Sequence, residues 1–364
     1  MPKQAELAEI VVGGQRYANW DSVSVTRSGM SVVPTFTFTA ASPIESATNF
    51  AGLKLKIGDP CEVLLAGRRV IRGQIRHRQP AFDANQHGLQ IGGTSLTGEI
   101  VKATVDHNQG EFKNYTLSQI LNSVFKPYGI KFNLKGSTDG ADKVFEKVNV
   151  QTGELLFNFA ERLCRMRNVF MFSDMDENIV GYRMGSAADG IADLQEGRNI
   201  LSASAVFDYN GAYAEHQAIG QNTGNDQRFG DAARDVTGSA KNPAVPNKTV
   251  NRFMMEQPGD KADALMRAQH ENAHDVGSQV QVTIVVQGWF ANQDTLWLEH
   301  IGEPVSVYSP MLFTDDRLNL AIQEVTSTQN AGGTMTTLTL VLPEAYNGIG
   351  TIQGGSVPPQ VYGA

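Results

Sequence analysis

The chain has little cysteine. Among 364 residues there are two, Cys61 and Cys164, far apart. Two thiols make neither a disulfide framework nor a cysteine-based zinc cluster, so both are expected to be buried small hydrophobes. Long apolar runs are also missing. Nothing approaches the roughly 18 residues of a membrane span, and stretches such as Val282-Thr283-Ile284-Val285-Val286 have strand length. The first residues, MPKQAELAEI, lack a basic-then-apolar signal pattern. These absences lead us to expect a soluble chain, made in a cytoplasm, without a membrane partner. Basic charge is in deficit as well: Lys+Arg 30 against Asp+Glu 38, a formal net charge of −8. A basic nucleic-acid-binding face is not expected as the main feature, although an acidic surface can let a polyanion slide past.

What is present is ordinary globular composition, 41% hydrophobic and 19% charged, which argues against wholesale disorder. The length suggests two to four domains, since single cores rarely grow past about 250 residues. Residues 8–105 read as strands. Val23-Ser24-Val25-Thr26-Arg27 and Phe36-Thr37-Phe38-Thr39 alternate with period two. Gly13-Gly14 sits between two apolar-bearing runs as a hairpin turn. Near residue 106 the character changes. Thr116 caps a predicted helix with the stripe Leu117, Ile120, Leu121, Val124 and Phe125, which Pro127 and Gly129 end. A second helix, with Thr152 as its expected cap, carries Leu156, Phe159, Ala160 and Leu163, and the strands Val169–Phe172 and Ile179–Tyr182 follow.

Strand character returns at about residue 198. Residues 210–250, rich in Gly, Asn, Asp and Pro, read as a long loop or insertion. A helix is expected near 260–276, strands from Val280 to about Leu342, and an extended tail after Pro343. The fold class expected is mainly β with α+β: two similar small β-barrels, an α+β domain and an inserted helix-containing segment. The boundaries are 1–105 for the first barrel and 106–190 for the α+β domain. The second barrel takes 191–220 and 279–343, the insertion 221–278 and the tail 344–364. The two-barrel expectation rests on an internal echo. Ile57-Gly58-Asp59-Pro60-Cys61-Glu62-Val63 matches Ile301-Gly302-Glu303-Pro304-Val305-Ser306-Val307. Downstream, Gly73-Gln74-Ile75 is set against Ile322-Gln323-Glu324-Val325, and Leu89-Gln90-Ile91 against Leu338-Thr339-Leu340-Val341-Leu342, with the spacing drifting by a few residues.

Several motifs suggest chemistry. His270-Glu271-Asn272-Ala273-His274 matches HExxH, in which two His one helical turn apart hold zinc and the Glu is general base. The third ligand of the longer pattern would fall at Val280, and the helix is thin in apolar residues, so its histidines are expected to face water. A zinc metallopeptidase using His270, Glu271 and His274 is the alternative to the main functional reading below. Asp174-Met175-Asp176-Glu177-Asn178 begins like a calcium loop, but the required Gly is Ile179 and the twelfth position is Gly185, so a hairpin turn is expected. Arg68, Arg69, Arg72, Arg76 and Arg78 form one basic cluster, either a solvated face or a contact for an acidic partner. Trp289 and Trp297 are expected to pack rather than form a sugar platform.

Four separated stretches carry a resemblance. They are Trp20-Asp21-Ser22-Val23-Ser24-Val25-Thr26-Arg27-Ser28; Asn114-Tyr115-Thr116-Leu117-Ser118-Gln119-Ile120 with Pro127-Tyr128-Gly129-Ile130; Glu154 through Arg167 with its strand pair; and Gly288-Trp289 with Leu296-Trp297. In this order and spacing the chain resembles the baseplate hub protein of Mu-type contractile-tail phages. The T-even hub and the hub portion of type VI secretion spikes share that fold. The departures lie in residues 210–278. The resemblance implies a non-enzymatic structural protein of the virion, assembled in the host cytoplasm, with no catalytic residue, metal or cofactor. It implies a homotrimer in which two barrels per chain make a ring of six. Such a ring adapts a six-fold tail tube to a three-fold central spike and leaves a channel for DNA. The implied partners are the chain itself, the central spike protein, and a tail tube protein or tube-initiating baseplate protein. A tape-measure protein and the baseplate wedge are further neighbours.

Overall fold

The computed structural model describes residues 6–43, 54–83, 86–106, 110–184, 190–208, 210–221, 236–242, 245, 248–313 and 317–348. The first run of strands is β1 (Ala8–Val12), β2 (Gln15–Tyr17), β3 (Ser22–Ser28), β4 (Thr35–Pro43), β5 (Pro60–Leu65), β6 (Arg68–Phe82) and β7 (Gln86–Ser95). A short helix α1 (Gly98–Lys102), β8 (Glu111–Tyr115), α2 (Leu117–Phe125), β9 (Phe132–Gly136) and β10 (Phe145–Asn149) come next. Then come α3 (Leu156–Met166), β11 (Phe170–Ser173), β12 (Ile179–Arg183), β13 (Asp193–Gln195) and β14 (Ser202–Phe207). They lead to β15 (Glu215–Gly220), β16 (Val236–Lys241), β17 (Val250–Met254) and the long helix α4 (Lys261–Ser278). The chain closes with β18 (Val280–Gln287), β19 (Pro304–Tyr308), the turn-length helix α5 (Pro310–Phe313), β20 (Arg317–Asn330), β21 (Gly333–Val341) and α6 (Glu344–Asn347).

Thirteen strands form one sheet, along the path β14-β18-β21-β20-β3-β4-β7-β6-β5-β1-β2, with β19 on β20 and β13 on β19. The expectation of two separate barrels is corrected here. Among the described residues no barrel closes, and β20 pairs antiparallel with β3, so strands from both ends of the chain share one ladder. One apolar core follows this sheet, from Ile10, Val25 and Phe38 to Val282, Leu320 and Leu340. Alternation does its work in β3, whose Val23, Val25 and Arg27 point inward while the residues between stay half-exposed.

The α+β segment has a second core around Ile120, Phe125, Phe159, Leu163 and Met171. Its helix α2 starts as predicted: the Thr116 hydroxyl accepts from Gln119 N–H, and the Gln119 side chain accepts from Thr116 N–H. For α3 the expected cap fails. Thr152 lies outside the helix, whose N-cap is Leu155 without a side-chain bond. Instead Glu154 takes a buried, two-pronged ion pair from Arg162 at 2.5 and 2.9 Å. Parallel pairing of β9 with β12, and antiparallel pairing of β11 with β12, place the two helix-then-strand units side by side.

Two further expectations are corrected. Part of 210–250 is a sheet, β16-β15-β17, packed on α4. Its inward residues are mostly small, Ala218, Gly220, Gly238 and Ala240 beside His216 and Val236, so a run of large apolar residues is absent. A Cβ at Gly238 would overlap the backbone of Ala264 and Leu265, which is how closely helix and sheet approach. The tail is not extended at its start, because α6 docks on α4 and buries Tyr346. Residues 349–364 lie outside the described residues.

Candidate functional site

The sequence echo is a structural duplication. Gly58 and Gly302 both adopt positive φ, 90° and 81°. Gly58 N–H donates to Ile75 O at 2.8 Å, and Gly302 N–H to Ile322 O at 2.8 Å. Ile75 N–H returns to Asp59 O at 3.0 Å, and Ile322 N–H to Glu303 O at 3.0 Å. In both copies the proline that follows opens a strand (Pro60 in β5, Pro304 in β19) that pairs antiparallel with a long neighbour, β6 or β20. Each long strand carries a bulge at the same place, between Ile75 and His77 and between Ile322 and Glu324. The bulges fix the register of the repeat. Ile75 corresponds to Ile322 and Ile91 to Leu338, so the downstream echoes read from the sequence are each displaced by two residues.

Extending the match through the ladders sets β7 against β21, β4 against β18 and β3 against β14. Phe36 faces Gly93 in the first copy, and Val282 faces Leu340 at the same place in the second. The flank differs. Antiparallel β1 covers β5, whereas the short β13 lies parallel on β19.

The two copies meet at β3 and β20. The register runs from Glu324 opposite Ser28 to Gln329 opposite Val23. Thr26 and Thr326 share a hydroxyl hydrogen bond at 3.0 Å across it, and Gln329 Oε1 accepts from Ala8 N–H at 3.3 Å. Glu6 ties the first strand region to the second copy by accepting from Trp289 N–H at 2.9 Å and from the Thr334 hydroxyl.

The other chemical candidates are absorbed by the fold. His270 is not water-facing, as its sparse helix suggested: it is buried, with its ring 4.5 Å from that of Phe170. Burial, aided by the Arg267 cation, pushes its pKa well below the imidazole range. His274, one turn on, is exposed. Glu271 accepts from Arg267 at 2.8 Å, so the would-be base is already paired. The three residues therefore do not converge on an open site, and no cluster of three metal-ligating side chains occurs among the described residues. The Asp174–Asn178 segment is the expected hairpin turn, with Asp174 Oδ1 accepting from the backbone N–H of Asp176 and Asn178.

That turn also buries an acid and a base which spacing alone did not reveal. Glu177 is 2% exposed and accepts from Arg72 N–H at 3.0 Å. Arg27 is 3% exposed and donates to the carbonyls of Ser173, Asp174 and Val70 at 2.7–2.9 Å. Desolvation raises the Glu177 pKa and lowers that of Arg27. The signal available in the sequence was Arg27 itself, a charge at an inward position of an alternating strand. Much of the arginine cluster finds acids within the chain: Arg68 with Glu299, Arg69 with Asp176 and Glu62, Arg76 with Glu99. Trp289 and Trp297 are buried, and Trp289 Nε1–H donates to Thr328 O at 2.9 Å. Both cysteines are buried, and Cys61 has its thiol pushed up to about 12.

The chain is thus a duplicated sheet built around an α+β segment. Family models agree along the chain. Residues 8–95 match the N-terminal part of the Mu phage baseplate assembly protein GpP-like model, 97–181 the second domain of baseplate hub protein gp44-like, and 260–348 the fourth domain of GpP. The chain belongs to the Mu-type baseplate hub family, a structural family of the phage tail and not a class of enzymes. It is 24% identical over 292 residues to baseplate hub protein gp44 of Escherichia phage Mu, covering 79% of this chain and 76% of that protein. The same fold occurs in the 43 kDa tail protein of prophage MuSo2 from Shewanella oneidensis, with a TM-score of 0.78, 23% identity, and 94% and 99% of the two chains covered. It extends to the E. coli c3393 protein, a component of the type VI secretion system similar to T4 tail proteins gp27 and gp5. There the TM-score is 0.56 and the identity 12%, over 91% of this chain and 76% of that one. The protein is thus a baseplate component of a phage tail and virion-associated.

Proposed function

We propose that three copies of this chain form the hub ring of a contractile-tail baseplate. The observation that carries the reading is the duplication: one polypeptide holds two copies of the same turn, bulge and ladder. Three such chains present six similar β units, which suits a six-fold tail tube on one face and a three-fold central spike on the other. In this reading the units are residues 1–105 and residues 191–220 with 279–343. The α+β segment 106–190 and the insertion 221–278 decorate the ring, and 344–364 is a tail. The partners are the chain itself, the central spike protein and a tail tube or tube-initiating protein, with the tape-measure protein and wedge as further neighbours. DNA passes through the central channel without specific binding. The net charge of −8, tripled in the ring, favours that passage where it faces the lumen. Assembly takes place in the host cytoplasm.

The function needs no bond chemistry. It needs surfaces repeated at fixed angles, and a stiff shared sheet supplies them. The test is the mass of the complex formed when the chain is co-produced with the spike protein of its particle, with top-view electron micrographs. Three copies per complex and a six-lobed ring are expected. One or two copies would overturn the reading; a lumen lined mainly by Lys and Arg would overturn the placement of the negative charge.

A further inference from the structure

The tripeptide Tyr-Asn-Gly occurs twice, at 209–211 and at 346–348, and no other Asn is followed by Gly. Such a pair carries both halves of a reaction. The backbone nitrogen of the Gly is a nucleophile, the side-chain amide carbon of the preceding Asn is its target, and a residue without a Cβ leaves the approach open. Local sequence makes the two pairs chemically alike. Tertiary structure makes them different.

Asn210 and Gly211 form an exposed turn between β14 and β15. The Asn210 backbone N–H donates to Asp208 Oδ1 at 2.9 Å, but among the described residues nothing holds the Asn210 side-chain amide. Nor does the Gly211 N–H find a backbone acceptor among them. A Cβ at Gly211 would meet nothing within 4 Å, so the turn has room to bring the amide carbon onto the nitrogen.

The second pair is fastened on every side. Asn347 ends α6, and the Gly348 after it is buried. Tyr346 O accepts from Met184 N–H at 2.7 Å, and Gly348 O accepts from Asn168 Nδ2 at 2.5 Å. A Cβ at Gly348 would lie 2.8 Å from Arg183 Cδ and 2.9 Å from Asn168 Nδ2. The rotation that ring closure needs is blocked there unless α6 first leaves its seat on α4.

We propose that Asn210 is a site of spontaneous deamidation and that Asn347 is protected from it. The Gly211 nitrogen bonds to Asn210 Cγ. The Cγ–Nδ2 bond breaks, and Nδ2 leaves as ammonia with the proton taken from the Gly211 N–H. Water then opens the cyclic imide. Attack at the side-chain carbonyl leaves an aspartate at position 210, and attack at the main-chain carbonyl leaves an isoaspartate. One water is consumed and one ammonia released, with no change of oxidation state. The product adds one negative charge to a chain of net charge −8, beside Asp208, in the link from the large sheet to the β16-β15-β17 sheet. The isoaspartate form also lengthens the main chain of that link by one carbon.

The test incubates the full chain in mildly alkaline buffer made with heavy-oxygen water, then digests it in ordinary water and weighs the peptides. Heavy oxygen marks conversion during incubation and excludes conversion during digestion. The peptide with Asn210 should exchange NH2 for labelled OH and separate into aspartate and isoaspartate forms. The peptide with Asn347 should convert at least about tenfold more slowly, because it must wait for local opening. In denaturant the two sites should convert at similar rates, since the tripeptide is the same. Gly211→Ala places its methyl in open space, so it should slow conversion at Asn210 at least about tenfold and leave the melting temperature unchanged. Equal rates at the two sites in the folded chain would overturn the proposal. So would an Asn210 that converts only in denaturant, or a Gly211→Ala chain that converts at the original rate.

Discussion

The first and second copies of the sheet share turn, bulge and strand order, yet fill their cores differently. Where the first has Phe36 facing Gly93, the second has Val282 facing Leu340. A Cβ at Gly93 would overlap the Phe36 ring. A large-plus-none pair thus replaces a medium-plus-medium pair at constant depth, as expected of interiors packed at crystal-like density. The covers differ too. The first copy is covered by the β11–β12 hairpin through Arg27, and β18 of the second by α4. Backbone geometry is what the repeat preserves. Side-chain volume is free to redistribute as long as each facing pair sums to the same space.

The largest effect expected is at Leu340. Leu340→Ala removes a fully buried side chain whose neighbour Val282 cannot expand, and should cost about 3–4 kcal/mol in denaturant unfolding. A loss below about 1 kcal/mol would show that the second core is not tightly packed. The contrasting change is Gly73→Ala, at the position of Leu320 in the other copy. Its new Cβ would overlap the Thr94 carbonyl, so adding a methyl should cost about 2–3 kcal/mol where the second copy holds four carbons without strain.

Arg27→Met separates the covers. It strips the donor from three carbonyls and leaves buried Glu177 without its nearby cation, for an expected loss of about 3 kcal/mol. Phe207, its counterpart in the second copy, should tolerate substitution in the separated chain far better.

On the α4 side the comparison is read by pH. His270 has a folded pKa well below its unfolded value of about 6.5, so the unfolded chain binds a proton that the folded chain refuses. Stability should fall as pH drops below about 6.5, at roughly 1.4 kcal/mol per unit from this group. His270→Gln should flatten the profile between about pH 6.5 and 5. An unaltered slope would show that another group controls it. The smallest effect expected is at the junction, where Thr326→Ala loses one half-buried hydroxyl bond and about 0.5–1 kcal/mol.

How much was legible follows from how local each cause is. The Gly-acid-Pro turns, the Thr116 N-cap and the alternation in β3 and β4 are set by neighbours a few residues apart, and each appeared where its residues predicted. The sheet within 210–250 stayed hidden because its strands bury Ala and Gly against a helix, so hydrophobic size gave no period. His270 was misplaced on a wet face because the ring it stacks on, that of Phe170, comes from a strand a hundred residues away.

The sequence by itself determined the repeated turns, the capped helix α2, the thiols too few to staple anything and the family to which the chain belongs. Only the tertiary structure decided that the copies fuse through β3 and β20, and that His270 is buried and Glu271 paired while His274 stays exposed. The physical reason is range. Turn and cap energies are fixed by dihedrals and hydrogen bonds within a few residues. Edge pairing and burial depend on which distant surface arrives, and that is settled by the packing of the whole chain.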